Sequence, residues 1–216
     1  MNTRVLITML HGLGIILILR VLATIVANYP DYFPPSFDSL FLQGRESTFT
    51  REYQLAFYLH IVCGPFVLLS GLLLLSESVR SRCRGLHRAL GRVHVALVLM
   101  VLLPTSVVMS WYAFGGWQAG LSFILLSAAT GISIVSGVVS ARRRNYQRHR
   151  RWMIRSYVLI CSAIMLRLIS GAIDLVGVSS PELAYIVAAW SSWLVPLAIL
   201  ETLAIVPHVS ILARLK

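Results

Sequence analysis

Six histidines, nineteen arginine and lysine residues and only eight carboxylates make up the ionisable inventory of this 216-residue chain. His87 and His94 are two helical turns apart and share a face if their segment is helical. His149 stands in a second basic run, His208 and Glu201 come to a similar depth from the last apolar segment, and His11 lies somewhat deeper on the first. Neutral imidazole suits Zn, Cu or Fe, and several imidazoles at one depth on different helices are what bis-histidine haem ligation needs. His87, His94 and His149 are thus the candidate metal ligands. Each has a plainer reading as a hydrogen-bonding residue at a helix end.

The arginines repeat a spacing. Arg88 and Arg92 are four residues apart, as are Arg151 and Arg155, so each pair shares a helical face and can grip one oxyanion. A lipid phosphate, a haem propionate or a phosphorylated substrate would fit. His60, His87, His149, Arg88, Arg92 and Arg155 form the candidate cofactor-binding set, the cofactor being haem b or a transition metal. Other chemistry finds no motif: the chain has no H-E-x-x-H, P-loop or G-x-S-x-G. Cys63, Cys83 and Cys161 contain no C-x-x-C pair, which excludes a disulfide framework and leaves small apolar side chains.

Whatever these residues do, a membrane must position them. With 57% apolar and 12% charged residues and a mean hydropathy of +0.79, the chain lies far from soluble composition. Six windows have the ~20 apolar residues of a span: 4–27, 54–75, 93–114, 120–141, 153–176 and 183–209. The expected fold is all-α, a six-helix membrane bundle forming a single domain over 1–216. An outer segment, 28–53, separates the first span from a four-span core, 54–176, and the last span packs with the first outside that core. Arg20 inside the first window argues for a retained span over a cleaved signal peptide.

The net charge of +11 would on a soluble domain suggest nucleic acid; here it reports orientation. Arg80, Arg82, Arg84, Arg88 and Arg92 crowd the second connection, and Arg142, Arg143, Arg144, Arg148, Arg150 and Arg151 the fourth. Both connections, and both termini with Arg4, Arg214 and Lys216, are expected in the cytoplasm of a bacterium, with anionic lipid against them. Trp111, Tyr112, Trp117 and Trp152 fit interfacial belts. No nucleic-acid partner is expected; a membrane-protein partner or a second copy stays open.

Ionisable groups at membrane depth mark functional or pairing sites. At ~1.5 Å per residue, Arg20 lies about 24 Å and Arg167 about 21 Å from the inner ends of their spans, and His60 about 9 Å from the outer surface. Asp174 follows Arg167 by two turns. An outer polar cluster of Arg20, His60, Arg167 and Asp174 is therefore expected, with residues 29–41 as a lid. One outer histidine is too few for two stacked haems, Met109 and Met165 being better read as packing.

Two hairpins with basic turns follow one another. Their corners, His87-Arg88-Ala89-Leu90-Gly91-Arg92 and His149-Arg150-Arg151-Trp152-Met153-Ile154-Arg155, are alike apart from one residue, as a duplication or a chance likeness of arginine-rich turns would leave them. These corners, with Phe57-Tyr58-Leu59-His60-Ile61, Gly64-Pro65 and Leu166-Arg167-Leu168, resemble the membrane-protein family called domain of unknown function 2306. The likeness covers residues 54–170, and the outer segment from Asn28 to Asp38 is similar to a subset of the family. It implies no settled activity. What it implies is emphasis on His60, His87, His149, Arg88, Arg92, Arg155 and Arg167, and away from His94, His11 and His208.

Three functions stay open on these residues. One is a redox protein binding haem or a metal through its His/Arg polar core. The others are binding or transport of a small anionic or polar molecule at the outer cluster, and a non-catalytic membrane subunit or assembly factor. No reaction follows from the sequence.

Overall fold

The computed structural model describes residues 3–39, 42, 45–176 and 180–213. Among them, six helical stretches are long and apolar enough to cross a membrane: Gly12–Asp31, Arg51–Leu75, Arg84–Ser110, Gly116–Arg142, Tyr146–Ile173 and Pro181–Ala204. The protein is an all-α integral membrane protein. The contacts fall into two compact units, 1–50 and 51–216.

The first unit holds helix α1, Thr3–Ala27, and two short 3₁₀ turns, Tyr29–Asp31 and Glu46–Thr48. Phe37 meets Phe49 edge-on at 5.5 Å between ring centres, closing the connection on itself.

The second unit begins with α2, Arg51–Leu75, and a short α3, Glu77–Arg82, where Arg80 pairs with Glu77 and holds its carboxyl below the usual carboxylate range. The third span is composite: α4, Arg84–Leu97, passes through a π turn, Val98–Leu102, into α5, Leu103–Ser110. Next come α6, Gly116–Arg142, α7, Tyr146–Ile160, α8, Ser162–Val176, and α9, Pro181–Ala213. The third and fifth spans start well before the expected 93 and 153, because arginine and alanine sustain a helix as well as leucine does. A hydropathy window sees only the apolar part. His87, Arg88, His149 and Arg150 consequently sit on helices.

Tight turns fix the hairpins. Gly115 and Gly116 have φ of +86° and +68°, and a Cβ on Gly115 would meet Ile186 Cγ1 at 3.0 Å. In the basic turn Arg144 itself takes φ +58°, and Asn145 caps α7 by accepting from the Arg148 amide at 3.0 Å. Small residues let the helices touch: Ser110 O lies 2.5 Å from where a Gly120 Cβ would be. Trp193 Nε1 donates to Ser122 Oγ at 3.0 Å, and Ser122 donates to the Ala189 carbonyl at 3.0 Å. Ala188, Ala189 and Ser192 are fully buried. The last span thus packs one face against α6 through these residues and leaves Val187, Val195, Ile199 and Leu203 exposed on the other.

Candidate functional site

Three histidines share one pattern of anchoring. On α2, His60 Nδ1 lies 3.1 Å from Thr105 Oγ1 and 3.4 Å from Ser106 Oγ. Those hydroxyls already donate to the Val101 and Leu102 carbonyls at 2.7 to 3.0 Å, so the ring N–H is the donor toward them. Farther along the same two spans the roles exchange: Ser70 on α2 meets His94 Nδ1 on α4 at 2.8 Å, and both are 2% exposed. His149 Nδ1 lies 2.9 Å from the Gly137 carbonyl on α6 and must donate to it. For His60 and His149 this leaves Nε2 as the basic nitrogen, the state in which imidazole binds a metal or accepts a proton.

His87 differs. Its Nδ1 is buried and has no hydrogen-bond partner among the described residues, which is costly unless something else satisfies it. His149 and Arg80 lie within electrostatic reach of this ring. His87 and His149 thus both stand at the basic end of the bundle. His94 is not with them: it sits two turns deeper, committed to Ser70 and closed in by Gly71 and Tyr157. A Cβ on Gly71 would fall 2.5 Å from Tyr157 Cδ2 and 3.2 Å from His94 Cε1. Tyr157 is held there by its hydroxyl, 3.2 Å from the Leu68 carbonyl. Among the described residues no three His, Cys, Asp or Glu side chains group as metal ligands, so His87, His94 and His149 do not form one ligand set.

Arg155 has a protein partner in place of the expected anion. Its guanidinium grips Glu201 on α9 with Nε on Oε1 and Nη2 on Oε2, the latter at 2.7 Å. Trp152 lies against it at 4.9 Å. Arg88 and Arg92 are exposed on α4.

At the opposite end Arg167 lies within electrostatic reach of His60, and its Nη1 donates to the Ala163 carbonyl at 2.8 Å. Of the expected outer cluster, His60 and Arg167 therefore stand at the same end of the bundle. Arg20 is exposed on α1 in the other unit. The side chains of Asp174, His11 and His208 lie outside the described residues, as do Phe41 of the expected lid and the terminal Arg214 and Lys216.

A family model described as a predicted membrane protein (DUF2306) matches residues 57–205. The chain belongs to this family. No curated protein and no solved structure matches it. The part shared with DUF2306 takes in His60, His87, His149, Arg155, Arg167 and also Glu201, and leaves out α1 with Arg20. Ser70, Gly71, Thr105, Gly137 and Tyr157 escape a reading that looks for chemistry-bearing residues. Their only trace is small or hydroxyl side chains within spans, which serve packing almost everywhere.

Proposed function

We propose that the protein holds a transition-metal ion or haem iron at its basic end through His87 and His149, in a redox role. The observation that carries this reading is the unsatisfied, buried Nδ1 of His87 within electrostatic reach of His149, whose Nδ1 is tied to Gly137. A ligating histidine typically donates its other ring N–H to a carbonyl, which fixes tautomer and orientation. Two imidazoles leave coordination positions open for an exogenous ligand or a porphyrin. Arg88 and Arg92, exposed on α4, supply positive charge for propionates. The arginines around both connections at this end support its placement in the cytoplasm, against anionic lipid.

The test is a visible spectrum and metal analysis of the detergent-purified chain. A Soret band or stoichiometric Fe or Cu is expected, lost in His87→Ala and His149→Ala and kept in Ser70→Ala. A wild-type protein that has neither, even after loading with haem and with each metal, overturns the proposal.

A second reading rests on His60 and Arg167, which lie within electrostatic reach of each other in the half of the bundle away from the basic end. It makes that end a binding or transport site for a small anionic or polar molecule. Ligand-induced thermal shifts that disappear in Arg167→Ala would support it; shifts unchanged in that variant would make the arginine structural.

A further inference from the structure

Two clefts of about 340 Å³ each open beside the α6–α7 turn and share Asn145 and Arg148. One is polar, lined by Gln147, Arg148 and Arg151 with Trp152 and Arg155 at its edge. Because Arg155 is already engaged by Glu201, the uncommitted charge there belongs to Arg148 and Arg151. The other runs along α6 past Arg143, Val139 and Val135. Its Ser140 hydroxyl is spent on the Ser136 carbonyl at 2.7 Å, and Val139 and Val135 supply the apolar part of this wall. No carboxylate lines either cleft.

The turn builds this junction. Arg144 in its left-handed conformation reverses the chain, and Asn145 accepts from the Arg148 amide through Oδ1. The Asn145 amide group keeps two N–H donors, beside three guanidinium groups at the level where α6 ends its span at Arg142.

We propose that the two clefts form one binding site for an anionic phospholipid, independent of the histidine site. Its phosphate lies among Arg143, Arg148 and Arg151, and one acyl chain follows Val139 and Val135 into the bilayer. Charge complementarity selects an anionic head group, and continuity with an apolar channel at headgroup depth selects a lipid over a soluble phosphate. A diffuse basic face would attract anionic lipid without preferring one connection; a built cleft prefers its own arginines.

The experiment is native mass spectrometry of the full detergent-purified chain with phosphatidylglycerol, with phosphatidylcholine of the same acyl chains and with inorganic phosphate. Phosphatidylglycerol should be retained preferentially and weakened by about fivefold for each of Arg148→Gln and Arg151→Gln. Arg82→Gln with Arg84→Gln, removing two charges from the other basic connection, should leave it unchanged. Val139→Trp, which fills the apolar channel without touching the arginines, should weaken the lipid as well, and so tests the site without altering its charge. Equal retention of phosphatidylcholine, equal loss in the Arg82/Arg84 variant, or inorganic phosphate displacing the lipid at equal concentration would each overturn the proposal.

Discussion

Ser70 and His94 form a buried hydrogen-bonded pair, Oγ to Nδ1 at 2.8 Å, that joins α2 to α4 inside the apolar part of the bundle. With both residues 2% exposed, neither can turn to water. Ser70→Ala leaves the ring nitrogen unpaired and should cost about 0.5–2 kcal/mol, the range of interhelical hydrogen bonds in membranes. Ser70→Ala with His94→Leu should recover part of that loss, because the unsatisfied group goes with the ring. Thermal unfolding of the purified variants measures both; strictly additive losses would mean the pair is not coupled.

Gly71, next along α2, carries the closest helix approach of this region. A Cβ there overlaps the Tyr157 ring at 2.5 Å, and the ring is tethered by its hydroxyl to the Leu68 carbonyl. Gly71→Ala should therefore destabilise by about 1–3 kcal/mol, although alanine is the better helix former. Adding Tyr157→Val should make the alanine tolerable, an outcome readable from the midpoint of thermal unfolding.

How much of this was legible beforehand divides by dimension. Six spans follow from apolar run length, a one-dimensional property, and so does the crowding of arginine at one end. The pairing of His94 with Ser70, or of Arg155 with Glu201, depends on how each helix is rotated about its axis. Spans apolar on nearly every face carry little record of that rotation. Hence the matching corners that carry His87 and His149 were legible, whereas the contact of Gly71 with Tyr157 was not. Nor could spacing say that Arg155 has its own carboxylate: Glu201 is 46 positions away.

The Arg155–Glu201 pair ties α7 to α9, and its two-pronged geometry sets what a substitution does. The side chains are 26% and 38% exposed. Breaking the pair should then cost about 1–2 kcal/mol, more than a surface ion pair and less than the 3–5 of a fully buried one. Glu201→Gln keeps the shape and loses the charge. Arg155→Lys keeps the charge but loses the fork and the contact with Trp152. Both should lower the unfolding midpoint, Glu201→Gln with a smaller loss at high salt, where the ionic part is already screened.

The π turn at Val98–Leu102 explains how two histidine–hydroxyl pairs form across the same helix interface. On α2 the interval from His60 to Ser70 is one residue shorter than that from His94 to Thr105 on the antiparallel third span. Two regular helices would bring one pair into register and rotate the other away. A π turn takes about one residue more per turn than an α turn, so the longer interval advances by the same rotation as the shorter. Met100, within the turn, is 72% exposed, and deleting it removes little packing while allowing a regular α-helix through this stretch. The deletion should therefore be tolerated with both pairs intact, and Ser70→Ala and Thr105→Val should cost the same in the shortened protein as in the natural one. A one-residue insertion after Met100 should instead separate the pairs and abolish the effect of Thr105→Val or Ser70→Ala. If the deletion unfolds the protein or erases either effect, the turn has a role other than register.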